Sequence, residues 1–100
     1  MKVKNLSFKA KVWLWPGESA SWHFTSVPKE ESVKLREKYK GLHRGWNSIK
    51  VQAKVGKTVW ETSIFFDSKS AQYMLPLKAS VRKAEGIFHG DPIQVKLKIL

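Results

Sequence analysis

From Leu6 the chain alternates, with Leu6, Phe8, Ala10, Val12 and Leu14 on one side and Ser7, Lys9 and Lys11 on the other. Successive side chains of a strand point to opposite faces, so this period of two predicts a half-buried strand over 6–15. Trp13 and Trp15 fall on its outward, lysine-bearing face. Pro16-Gly17-Glu18-Ser19 has the composition of a turn. Residues 20–27 read as a second strand, with Trp22, Phe24 and Ser26 facing one way and Ser21, His23, Thr25 and Val27 the other. The polar neighbours of His23 predict that it points away from the core.

After Pro28, residues 29–39 read as a helix whose apolar positions, Val33, Leu35 and Tyr39, are few, so it is mostly solvated. Gly41 to Asn47 is irregular. A strand over 48–55, a Gly56-Lys57 turn and a return strand over 58–66 form a hairpin. On the return strand Val59, Glu61, Ser63 and Phe65 oppose Thr58, Trp60, Thr62, Ile64 and Phe66. Apolar residues on both sides near Ile64-Phe65-Phe66 predict burial from both faces there. A polar loop over 67–72, a strand over 73–77, a short helix over 78–85 stopped by Gly86, and a strand over 93–100 complete the chain. In the turn before that last strand, Asp91 is placed to accept bonds from turn amides.

The plan runs twice. Val27-Pro28 answers Leu75-Pro76, Ser32-Val33-Lys34 answers Ser80-Val81-Arg82, and residues 49–55 answer 93–99. Internal self-similarity of this kind points to two copies of one β-β-α-β unit, about 6–55 and 58–99, within a single domain over 1–100. Six short strands so arranged predict a mainly β fold. Its form is a closed or nearly closed six-stranded barrel with one longer and one short helix, because closure removes strand edges. An open α+β sheet with both helices on one side is the alternative.

Charge adds a constraint. Nineteen basic residues against eight acidic give +11, and sixteen of the nineteen are lysine. Such a balance favours an anionic partner, whether nucleic acid, anionic lipid or an acidic protein. The plainer reading is that strand lysines discourage edge-to-edge pairing. Absence of cysteine excludes disulfides and thiolate metal sites. No stretch approaches the roughly 20 apolar residues that span a bilayer, so the expectation is a cytoplasmic protein, monomeric or weakly associating, with no membrane partner.

Three groups of residues carry a family resemblance: Ser21-Trp22-His23-Phe24 with Val27-Pro28; Arg44-Gly45-Trp46-Asn47-Ser48-Ile49-Lys50-Val51 with Trp60 and Thr62-Ser63-Ile64-Phe65; and Tyr73-Met74-Leu75-Pro76-Leu77-Lys78 with Val81 to Gly86 and Gly90-Asp91. Together they resemble a bacterial and archaeal family of domains of unknown function with a double-split β-barrel. Its members occur alone or beside a bacteriocin-protection (YdeI/OmdA-type) domain. The resemblance implies a six-stranded barrel similar to the swapped-hairpin dimers of AbrB/MazE-type regulators. It implies no catalytic residue. Phe66 stands where the family usually has Pro, which bears on where that strand ends.

The carboxylates show no acid/base pair at recognisable spacing, and His23, His43 and His89 lack a metal-ligand pattern. No cofactor or metal is expected. Lys78, Arg82 and Lys83 form the sharpest basic cluster, and Arg44 precedes the matching strand of the first half, so these four are the candidate anion-binding residues. Arg82 paired with Glu85 or Asp91 is the structural alternative. Five tryptophans cannot all fill one small barrel, so Trp13, Trp15, Trp22 and Trp46, with His23, are candidates for a stacking surface or groove. The alternative is that they cap the barrel ends and cover lysine stems. The leading expectation is a non-catalytic module binding an anionic polymer such as nucleic acid. A protein-interaction or small-ligand module in a stress or bacteriocin-protection setting comes second. An enzyme whose site is invisible in sequence comes third.

Overall fold

A computed structural model describes residues 5–16, 21–39 and 48–100. Its elements are β1 (Asn5–Pro16), β2 (Ser21–Ser26), α1 (Lys29–Tyr39), β3 (Ser48–Val55), β4 (Thr58–Asp67), β5 (Gln72–Pro76), α2 (Ala79–Glu85) and β6 (Pro92–Ile99). The strands close into a barrel in the order β1-β2-β5-β4-β3-β6, every neighbouring pair antiparallel. Exchanging β1 with β4, β2 with β5 and β3 with β6 leaves this cyclic order unchanged. Closure rules out the open sheet with helices on one side.

The core follows the alternation. Leu6, Phe8 and Val12 of β1 face inward with Ile49, Val51, Ala53 and Val55 of β3 and Ile93, Val95, Leu97 and Ile99 of β6. Trp60, Ile64, Tyr73 and Leu75 complete the interior from β4 and β5. Among the described residues, no helix is long and apolar enough to cross a membrane.

In β2 the facing is the reverse of the sequence-based expectation. Val12 pairs with Thr25 and Leu14 with His23, and directly opposed residues of an antiparallel pair share a face. Thr25 and Val27 are fully buried, and the Thr25 hydroxyl is satisfied by the Lys11 carbonyl at 3.1 Å. His23 therefore lies on the inward side, and Trp22 and Phe24 point outward. Polarity misleads here because a hydroxyl with a partner costs little to bury.

Two further expectations are corrected. Phe65 is 45% exposed, so β4 is not buried from both faces at that end. Phe66 continues the strand, pairs with Tyr73 and packs edge-on against its ring at 5.2 Å. In α1 the buried positions are Ser32 and Leu35, whereas Val33 is exposed. Ser32 is accepted because its hydroxyl donates to the Val27 carbonyl at 3.1 Å and accepts from the Tyr73 amide at 2.9 Å. Glu30 and Glu31 in the first turn and Arg36 and Lys38 in the last complement the helix dipole. α2 buries Val81 and ends at Gly86, whose φ of 63° is the left-handed cap conformation glycine adopts without steric cost.

Candidate functional site

The outward face of β1 and β2 is aromatic. Trp15 stands directly opposite Trp22, and Trp13 opposite Phe24. Ring centroids are 5.2 Å apart for Trp13–Phe24, 6.0 Å for Trp13–Trp15 and 6.3 Å for Trp15–Phe24. Trp13 is the anchored member, its indole N–H donating to Ser26 Oγ at 3.0 Å. Trp15 and Trp22 are 47% and 58% exposed.

The same outward row of β1 continues into the exposed Lys11 and Lys9. Beyond them, across β6 and β3, lie Lys96, Lys98, Lys50 and Lys54, also exposed. β1, β3 and β6 contain no Asp or Glu. Lys54 sits directly opposite Lys96, a like-charge pair that is mildly unfavourable in the free protein. Protection against edge pairing does not explain these lysines, because a closed barrel has no edge to protect.

On the other side of the tryptophans is a groove created by the shortness of β5. That strand pairs only with residues 24–26 of β2 and 65–67 of β4. Beyond Pro76 the chain leaves the wall for α2, held by the Leu77 amide on the His23 carbonyl at 2.9 Å. The gap left between β2 and β4 is a groove of about 500 Å³. Its walls are Trp22 and His23 on one side and Trp60, Glu61 and Thr62 on the other, and Pro76 to Ala79 and Arg82 line it from the β5–α2 side. A second hollow of about 620 Å³ adjoins it, sharing His23, Ala79 and Arg82 and reaching Lys83 and the exposed Phe88.

Arg82 is held in place. Its Nε donates to the Leu77 carbonyl at 3.0 Å, and among the described residues no carboxylate is within ion-pair distance of it. The expected partners are engaged elsewhere. Glu85 accepts from Thr58 Oγ1 at 2.6 Å and from the Lys57 amide at 3.2 Å. Asp91 accepts from the Phe88 amide at 2.8 Å, the turn role its position predicts. Fixed by one bond, the guanidinium leaves its terminal nitrogens to bind an anion in bidentate fashion.

His23 Nδ1 is shut off from solvent and has no hydrogen-bond partner among the described residues. Desolvation, then the positive charges of Arg82 and His89, hold the imidazole below its ordinary value of 6.5. The ring is therefore neutral at physiological pH, and the fixed positive charge at the groove comes from Arg82 and the exposed Lys78 and Lys83.

Of the residues singled out in the sequence, the fold brings Trp22, His23, Lys78, Arg82 and Lys83 together and sets Trp13 and Trp15 on the adjoining outer face. Arg44 and Trp46 lie outside the described residues. Trp60, Thr62, Phe88 and His89 also belong to the neighbourhood. In the sequence Trp60 and Thr62 stand out only within the family resemblance and His89 only as a lone histidine, and that their elements meet in space is not something periodicity reports. Among the described residues, no group of three His, Asp or Glu side chains is placed to hold a metal ion.

Residues 8–97 match the family described as "Domain of unknown function (DUF1905)". No curated protein matches the chain.

Proposed function

We propose that this chain, which belongs to the DUF1905 family of domains of unknown function, is a non-catalytic binding module for an anionic polymer, single-stranded nucleic acid above all. The observation that carries the reading is the Trp15–Trp22 pair, half exposed, at the end of a row that continues into Lys11 and Lys9. Lysines act as point charges that track a phosphate backbone, and exposed indoles stack on bases of any identity. Cations thus lie on both sides of the aromatic face, lysines of β1, β6 and β3 on one and Lys78 and Arg82 on the other. Three arginines against sixteen lysines imply little sequence preference.

Titration with a single-stranded homopolymer tests this, following quenching of tryptophan fluorescence. Engagement of about six lysines predicts a slope near −4 in log K against log salt. Trp15→Ala and Trp22→Ala each weaken binding by about 1–3 kcal/mol, and Lys9→Gln and Lys11→Gln each flatten the salt slope by about 0.7. Absence of binding at low salt, or binding indifferent to salt, contradicts the proposal.

One observation favours a protein partner instead, in the bacteriocin-protection setting that the family resemblance implies. Leu14 is exposed at the same tip as Trp15 and Trp22, giving it an aliphatic edge. A partner held there would bind with little salt dependence and would lose affinity on Leu14→Ser, a change that single-strand binding tolerates.

A further inference from the structure

The groove beside Trp22 is built differently from the lysine-bearing wall. The wall offers many mobile point charges and no pocket for one group. The groove offers a single guanidinium fixed through Nε to the Leu77 carbonyl and, among the described residues, in no ion pair with a carboxylate. Lys78 stands on one side of it and Lys83 on the other, each lining one of the two hollows that meet at Arg82. The one carboxylate in the lining, Glu61, belongs to the β4 wall, and the hollow beyond Arg82 has none. Positive charge is thus concentrated around Arg82.

Such a site distinguishes two kinds of phosphate. An internal phosphodiester carries one negative charge, whereas a terminal phosphate monoester carries close to two near neutral pH and has three free oxygens for charge-assisted bonds. Trp22 links this site to the stacking face, because it pairs across the strands with Trp15 on the outer surface and also lines the groove. A base stacked on Trp22 therefore has its own phosphate within the groove's compass. The opening of about 500 Å³ takes one phosphate and its sugar, and Arg82 stands where it meets the second hollow.

We infer that the groove is a terminal-phosphate site, in which Arg82 holds the phosphate monoester of a nucleotide whose base stacks on Trp22, with Lys78 and Lys83 supplying the remaining positive charge. This rests on the single-strand reading above and sharpens it, giving the module a preference for strand ends. The same chemistry is presented by a free mononucleotide, and the test separates the two sources.

Short labelled single strands of one sequence, with a phosphate on one end, on the other end or on neither, are compared by fluorescence anisotropy, with a mononucleotide as competitor. The intact chain is expected to bind one phosphorylated form about tenfold more tightly than the unphosphorylated strand. Arg82→Gln removes that difference, weakening the phosphorylated strand about tenfold and the unphosphorylated strand, held mainly by the lysines of β1, β6 and β3, far less. The exposed Lys78→Gln/Lys83→Gln pair, which leaves the buried structure untouched, reduces it about threefold or more. If only the mononucleotide binds, and Arg82→Gln abolishes that, the phosphate site stands and its ligand is the free nucleotide. Equal affinity for all three strands, or a preference that survives both variants, overturns the end-recognition site and leaves the polymer-binding proposal intact. Failure of every strand and of the mononucleotide overturns both.

Discussion

The Thr58 hydroxyl donates to the Glu85 carboxylate at 2.6 Å, joining the turn of the β3–β4 hairpin to the last turn of α2. This bond has two consequences. It fixes α2 over the barrel, and it removes from Arg82 the carboxylate one helical turn away with which it would otherwise pair. The proposed anion site and the helix anchor therefore share a single structural cause.

Removing that anchor has a graded effect. Thr58→Val deletes a part-buried bond to a charged group and is expected to lower stability by about 1–2 kcal/mol, read as a shift of the urea midpoint with unchanged slope. It also frees Glu85 to approach Arg82, so affinity for anions falls with it. Gly56→Ala is also expected to destabilise, because Gly56 has φ of 59°, where a side chain is strained, and the added Cβ would push the flexible end of Glu85 off the turn. If Gly56→Ala matches the wild type in stability, Glu85 does not dock on this turn.

His23 makes stability depend on pH on the acid side. Burial, Arg82 and His89 hold its folded pKa below the ordinary 6.5, so the unfolded chain takes up the proton first. Stability from this group is complete above pH 6.5 and declines as pH falls from there towards the folded value. Thermal or urea unfolding between neutral and mildly acidic pH should show this decline, and His23→Gln should reduce it. An unchanged acid slope in His23→Gln would show that the decline comes from elsewhere.

How much of this was legible in the sequence depends on which force set each residue's position. Burial of apolar area governs β1, β3 and β6, and there Leu6, Phe8, Val12 and the β3 and β6 aliphatics announce the inward face without ambiguity. In β2 the pairing register decides instead. Trp22 follows Trp15 outward, and His23 and Thr25 are carried inward with Leu14 and Val12, so hydrophobicity alone assigns the faces the wrong way round. The helices show the same limit. Ser32-Val33 and Ser80-Val81 stand at equal distances from Pro28 and Pro76, yet Ser32 and Val81 are buried and Val33 and Ser80 exposed. One hydrogen-bonded hydroxyl reverses the phase, and no periodicity encodes it. The groove was legible only as separate pieces, because Pro76 marks where β5 stops but not which strands face one another beyond it.

Ser32 itself is open to a direct test. Ser32→Ala leaves the Val27 carbonyl with one remaining donor, the Gln72 side-chain amide at 3.0 Å. The Tyr73 amide, by contrast, loses the acceptor it has at 2.9 Å and is buried. An unsatisfied buried donor costs about 1–3 kcal/mol, so the substitution should destabilise by that amount although alanine is the better helix former. Hydrogen exchange at Tyr73 should quicken more than at the neighbouring Leu75. A neutral or stabilising Ser32→Ala would mean that the amide finds another partner.

Tyr73 supplies the alkaline counterpart of His23. Its ring is fully buried between β4, β5 and α1, and burial raises the phenol from 10.0 to about 12, with Arg36 pulling weakly the other way. The folded state therefore keeps its proton where the unfolded chain would lose it. Stability from this group is complete below pH 10, falls as pH rises, and is gone above about 12. The chain has two tyrosines, so in a Tyr39→Phe background the near-ultraviolet phenolate signal reports Tyr73 alone. That signal should appear late and together with loss of the folded near-ultraviolet dichroism, because the phenolate is accommodated only when the barrel opens. Arg36→Gln should delay it further, since the favourable positive charge is then gone. Ionisation near pH 10 with the barrel still folded would place the Tyr73 hydroxyl in contact with solvent and overturn the assignment.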